Sequence, residues 1–216
     1  MNIIFDMDGV IFDTERLYLE CCVPAAEKLG LAGIEEVVYE CIGLTDEETD
    51  KTFRLHYGED APIDAFHQEV YQTFMARYEA EGITVKKGVV ELLSNLRQAD
   101  AAVAIGSSTH SNLIEIELRD AELLEYFDVI VGGDMVEHSK PAPDVFLLAA
   151  EKLGADIGNC IIIEDSFNGV RAAHAAGGTV FMVPDLLEPT DEVRALTDQV
   201  FPSLVEVREW LERVKG

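Results

Sequence analysis

The stretch Ile3-Ile4-Phe5-Asp6-Met7-Asp8-Gly9-Val10-Ile11-Phe12-Asp13-Thr14 decides the fold. Three apolar residues running into two acids spaced by one, then a glycine, describe a short buried strand that gives out into a loop. Residues two apart on a strand point to the same side, so Asp6 and Asp8 aim two carboxylates at one spot unless the backbone turns between them. Two bare carboxylates that close repel each other, and the arrangement needs a cation or a shared proton. A polar strand end or a helix cap would account for one Asp. It does not account for two after a fully apolar strand, with Gly9 freeing the backbone at once.

The bulk composition sets the frame around that stretch. A chain of 216 residues, 48% hydrophobic and 27% charged, can bury a full α/β core and has length left for an insert. A formal charge of -26 and a pI near 4.3 argue against a nucleic-acid or anionic-membrane partner, because phosphate contacts need clustered Lys and Arg. Lys86-Lys87 is the one adjacent basic pair, apart from Arg213 and Lys215 at the tail, and it reads as solvated surface. An acidic surface also repels an anionic substrate and must be offset locally, as a bound divalent cation and a lysine would do. Most of the remaining acids read as support for solubility.

Cys21, Cys22, Cys41 and Cys160 show no CxxC spacing. A zinc site or disulfide framework is therefore not expected, and a reducing, cytoplasmic setting is. No apolar run approaches the ~20 residues of a spanning helix. With the first strand a few residues from Met1, no secretory leader is expected.

From Thr14 the pattern turns helical, through Leu17, Cys21, Cys22 and Ala26 to a stop at Gly30. Shorter helices are expected over Ile34 to Glu40 and Asp46 to Tyr57, the second capped by Thr45 with Glu48 as its capping-box partner. Ile63, Phe66, Val70, Phe74 and Tyr78 recur at three and four residues and mark one apolar helix face ending before Gly82. No strand is needed between Asp13 and Gly82, so this stretch reads as an all-helical insert. After a helix over Val89 to Arg97, strands are expected at Ala101 to Ile105, Asp128 to Val131, Cys160 to Ile163 and Thr179 to Val183, with helices between. Such alternation argues a parallel sheet covered on both faces. A last helix, Ser203 to Val214, carries Trp210, which reads as packing.

Three further constellations stand at the ends of these segments. Gly106-Ser107-Ser108-Thr109-His110 follows a strand and opens onto a helix, which suits it to hold a phosphate oxygen, although its hydroxyls could equally cap the helix. In Lys140-Pro141-Ala142-Pro143-Asp144 two prolines stiffen the approach to a helix and present Lys140 from a rigid loop. Glu164-Asp165-Ser166 ends another buried strand with a second acid pair. Carboxylates converging from two strand ends call for a hard cation with oxygen ligands, Mg²⁺ being the natural candidate.

The four stretches in order resemble the motifs of the haloacid dehalogenase-like (HAD) hydrolases. The first pattern, DxDGxxxDT, is read as Asp6, Asp8, Gly9, Asp13 and Thr14, and the further match to DMDGVIFDTE is similar to the β-phosphoglucomutase-like branch. Ser107 matches the second motif, Lys140 in its KPxPxxF context the third, and Glu164-Asp165 the fourth. The resemblance implies a doubly wound parallel, Rossmann-like sheet, formed by residues 1–14 and 83–216, with a helical cap domain over 15–82. It implies adjacent first and fourth motif strands and a site at the carboxyl ends of the strands.

It further implies a Mg²⁺-dependent phosphatase acting on a small phosphorylated metabolite, expected as a monomer. Asp6 would be the nucleophile, and Asp8 the acid and base. Ser107, Ser108 and Lys140 would bind phosphate, and Asp6, Asp8, Glu164 and Asp165 would hold the metal. A sugar-phosphate mutase is the alternative. Tyr18 stands where those mutases resemble one another in having His, and Gly43-Leu44-Thr45-Asp46 carries Asp where they place a phosphate-gripping Arg. Both departures weaken a second phosphate site. A non-catalytic phosphoacceptor switch ranks below both, because receivers carry their Asp after an interior strand and lack a helical insert. Tyr18, Thr45, Asp46, Lys51 and Arg54 are the candidates for substrate contact, and Lys86-Lys87-Gly88 replaces the Pro-Gly expected before its helix.

Overall fold

The computed structural model describes residues 1–42 and 46–214. They divide into two compact units, residues 1–13 with 84–216 and residues 14–83. The first carries strands β1 (Asn2–Phe5), β2 (Ala102–Gly106), β3 (Val129–Val131), β4 (Cys160–Glu164), β5 (Thr179–Met182) and β6 (Gln199–Val200). All pair in parallel in the order β3-β2-β1-β4-β5-β6. This is a doubly wound α/β sheet, whose two halves wind outward from the central strands.

The helices of this unit are α5 (Val89–Gln98), α6 (Ser111–Asp120), α7 (Asp144–Leu153), α8 (Phe167–Ala176), α9 (Asp191–Ala195) and α10 (Leu204–Val214). They cover both faces because the strands are apolar on both. Ile4, Ala104, Ile162, Val180 and Met182 pack with Val145, Phe146 and Ala149 of α7 and Val170 and Ala173 of α8. The alternate residues point the other way. Phe5 meets Phe127 edge-on at 6.1 Å, and Phe181 meets Trp210 of α10 at 5.0 Å, confirming Trp210 as packing. The expected strands are displaced by one residue at most. β6 was not expected, since two residues with a polar leader show no apolar run; its register, Phe181↔Gln199 and Met182↔Val200, is set by β5.

Two expectations need correction. β1 is third of six in the sheet order, so an interior strand before the first acid does not separate this chain from a receiver; the helical insert does. Lys86 is no solvated surface residue. Its ammonium pairs with Asp185 just beyond β5, with side chains 20% and 6% exposed.

The second unit is all helical among the described residues: α1 (Thr14–Leu29), α2 (Ile34–Cys41), α3 (Asp46–Tyr57) and α4 (Ile63–Glu81). Its core joins Cys21, Cys22, Ala25 and Ala26 of α1, Val37 and Val38 of α2, Phe53 of α3, and Ile63, Phe66 and Val70 of α4. Phe53 and Phe66 lie 5.1 Å apart, and of the α4 stripe Ile63, Phe66 and Val70 belong to this core with Phe74 packed against it. The capping box of Thr45 with Glu48, the Gly43-Leu44-Thr45 loop and the Asp46 side chain lie outside the described residues. The four cysteines are free, and among the described residues no helix is long and apolar enough to cross a membrane.

Candidate active site

Sheet register assembles the site. Phe5 pairs with Ile163 on one side and Ile105 on the other, and the Asp6 amide donates to the Ile163 carbonyl at 2.9 Å. The next residues of all three strands, Asp6, Glu164 and Gly106-Ser107, therefore leave the sheet side by side at its carboxyl edge.

The backbone does turn between the two acids. The Met7 carbonyl accepts from Ile11 at 2.8 Å, and Gly9 donates to Phe12 at 2.9 Å. Asp6 and Asp8 thus part company. Asp6 turns to the fourth-strand acids: Asp6, Glu164 and Asp165 each offer a ligand oxygen, all within 4.8 Å of one another. The Asp8 carboxylate stands outside that group, and its Oδ2 accepts from Thr109 Oγ1 at 2.6 Å and Ser107 Oγ at 3.4 Å.

Lys140 closes the acid group. Its ammonium donates to Asp6 Oδ1 at 2.5 Å and Glu164 Oε1 at 2.9 Å, with the lysine side chain 7% exposed. It also lies 4.7 Å from the centroid of Phe146, a cation–π contact that gives the phenylalanine of KPxPxxF a place in the site. Glu164 Oε2 accepts from the Ser166 amide at 2.6 Å and the Ser166 hydroxyl at 3.0 Å. Ser166 Oγ accepts in turn from Gly169, capping α8.

Two glycines make the room. A Cβ on Gly169 would fall 1.5 Å from Glu164 Oε1, and one on Gly9, at φ +77, would fall 2.1 Å from Asp165 Oδ2. Neither position admits a side chain without displacing a carboxylate.

Electrostatics point to what this cradle fits. The Asp6 carboxyl stands raised to about 8: burial pushes it up most, Lys140 pulls it down, and the charges of Glu164 and Asp8 add to the rise. For Lys140, burial alone would depress the ammonium, but Asp6 and Glu164 outweigh it and hold it raised. Three carboxylates crowded about the Lys140 ammonium oppose one another's ionisation in a site of low dielectric. An all-oxygen donor set of that charge, with glycines where side chains would block it, fits a hard divalent cation.

The candidates taken from the sequence fall into place unevenly. Asp6, Glu164, Asp165 and Lys140 form one cluster, and Asp8 and Ser107 form a second beside it. Ser108 is exposed, with its carbonyl against Gly133. Thr109 and Ser166 were missed as site residues. The serine had a signal in its place directly after the acid pair, at the start of a helix.

Comparison with known proteins agrees in both sequence and fold. The family model described as "Haloacid dehalogenase-like hydrolase" matches residues 3–183. A "Phosphorylated carbohydrates phosphatase" of Thermotoga maritima is 30% identical over 99% of the chain and 97% of its own length. A "Bifunctional riboflavin kinase/FMN phosphatase" of Arabidopsis thaliana is 32% identical over 95% of the chain, which spans only 54% of that relative. Among solved structures, a HAD family hydrolase of Deinococcus radiodurans R1, determined with bound phosphate and sodium, superposes with a TM-score of 0.81. It is 26% identical and covers 98% of this chain and 95% of its own.

Proposed function

The chain belongs to the haloacid dehalogenase-like hydrolase family, and from that premise we propose that it is a Mg²⁺-dependent phosphatase of small organic phosphate monoesters. One observation carries the reading: Asp6, Glu164 and Asp165 converge within 4.8 Å, with Lys140 bonded to the first two at 2.5 and 2.9 Å. Mg²⁺ would be held by Asp6, Glu164 and Asp165, and when bound supplies positive charge opposite the phosphoryl oxygens.

The chain's own groups divide the remaining work. Asp6 attacks phosphorus, and the bond to the leaving oxygen breaks as an aspartyl-phosphate forms. Lys140 fixes the reacting carboxylate by its hydrogen bond and offsets charge on the phosphoryl group. Ser107, 1% exposed, offers its hydroxyl to a phosphoryl oxygen. Asp8 gives a proton to the departing oxygen. It then takes one from the water that releases phosphate and regenerates Asp6.

The names of the relatives support a phosphorylated sugar or similar metabolite as substrate. We assign the choice among such substrates to the helical insert, residues 15–82, as a cap domain. A monomer in a reducing, cytoplasmic setting completes the proposal. The test is phosphate release with and without Mg²⁺. Asp6→Asn is expected to abolish it, and activity near wild type in that variant refutes the assignment.

A further inference from the structure

An acid that must both give and take a proton works only if its free oxygen faces the reacting bond, and something must hold the other oxygen still. Asp8 sits in a turn outside the carboxylate cluster, where a bridge to Phe12 holds its backbone and leaves its carboxylate to be fixed by other groups. The hydroxyls that reach it come from the second motif loop. Thr109 Oγ1 donates to Asp8 Oδ2 at 2.6 Å, within the range of a charge-assisted O–H···O⁻ bond, whereas Ser107 Oγ at 3.4 Å is at the outer edge of hydrogen bonding. Thr109 is therefore the tether.

Thr109 is itself fixed. Its carbonyl accepts from the Gly133 amide at 3.0 Å, and the Ser107 amide donates to the Val131 carbonyl at 3.1 Å. Gly133 packs so closely on this loop that a Cβ there would fall 2.3 Å from the Ser108 carbonyl oxygen. The loop is thus bound to the end of β3, and a β-branched side chain on it has few rotamers. The Thr109 amide also donates to Ser107 Oγ at 3.0 Å, occupying an acceptor site there and leaving the hydroxyl proton to point elsewhere.

Given the acid/base role proposed for Asp8 above, we propose that Thr109 is the positioning residue of the proton transfers. By donating to Asp8 Oδ2 it confines the transferable proton to Oδ1. In the first half-reaction the Oδ1–H bond breaks as the proton passes to the leaving oxygen, whose bond to phosphorus is breaking. In the second, Oδ1 takes a proton from water as that water bonds to phosphorus. Thr109 exchanges no proton with substrate.

A leaving group that departs readily as an anion needs little protonation, and an alkoxide needs it fully. The test compares kcat/KM at saturating Mg²⁺ for p-nitrophenyl phosphate and for glycerol 2-phosphate. Thr109→Val, isosteric but without the hydroxyl, is expected to lose about 10- to 100-fold on the glycerol ester and less than about 3-fold on the aryl ester. Thr109→Ser keeps the donor and is expected to stay within about 3-fold of wild type on both. Equal losses on the two esters overturn the proposal, as does a serine variant impaired like the valine one. Retained aryl activity shows that the variant is folded, and Thr109→Ala serves the same comparison should the valine variant not fold. If wild type hydrolyses neither ester, the phosphatase reading fails and the role of Thr109 with it. If wild type hydrolyses both and the valine variant shows no selective loss, the assignment of Thr109 alone fails.

Discussion

Glu117 is an acid in the wrong place for stability. It lies on the inner face of α6, 3% exposed, and its Oε2 has no hydrogen-bond partner among the described residues. Burial raises its carboxyl from the ordinary 4.5 to about 7, with the charges of Asp8 and Asp120 adding to the effect. The sign follows from where protons leave first. The unfolded chain ionises Glu117 near its ordinary value while the fold keeps it protonated, so stability falls as pH rises from about 4.5 to 7 and levels off above. The cost is under about 1 kcal/mol at pH 5 and about 3 kcal/mol at pH 8.

Glu117→Leu removes the charge and keeps the volume. It should raise the melting temperature at pH 8 by roughly 5–10 °C more than at pH 5, at ~2–4 °C per kcal/mol for a chain of this size. Thermal unfolding by circular dichroism, with EDTA present throughout, gives the four values needed. The difference between proteins at each pH cancels titrations the two share, including that of Asp6. An equal gain at both pH values would refute the reasoning, because Glu117 would then ionise as an exposed acid does.

Two other perturbations probe the site and its field. Gly169→Ala drives a methyl group into the Glu164 carboxylate and should weaken Mg²⁺ activation about 10- to 100-fold, read as the Mg²⁺ concentration for half-maximal phosphate release; an unchanged midpoint would mean that Glu164 is not needed there. With a formal charge of -26 opposing an anionic substrate, kcat/KM at saturating Mg²⁺ should rise modestly with salt up to ~0.15 M, where the Debye length falls to ~8 Å. A steep fall would show that the local charge of Lys140 and the metal dominates.

What could be read from the chain was whatever lies within one segment. An apolar tripeptide before Asp6, another before Glu164, and the prolines around Lys140 each carry their own signal. Contacts between segments carry none. Thr109 looks like a helix-capping hydroxyl until the register of β1 and β2 brings it beside Asp8. Glu117 falls on the buried face of α6 with Ile114 and Leu118, a position that shows only once the packing of that helix is known. Lys86 reads as surface because its partner, Asp185, is 99 positions away. The two-residue β6 exists only as an addition to β5.

The parallel pairing of β1 also bears on how the chain is made. Ile3 must wait for Val103 and Ile161 to emerge from the ribosome, while the insert between them can gather its own core first. In that interval Ile3, Ile4 and Phe5, all fully buried in the end, form an unpartnered sticky segment of a nascent polypeptide. The charges of Asp6 and Asp8 directly behind it act as gatekeepers against aggregation. The same two side chains to which the chemistry is assigned would thus also guard their own strand.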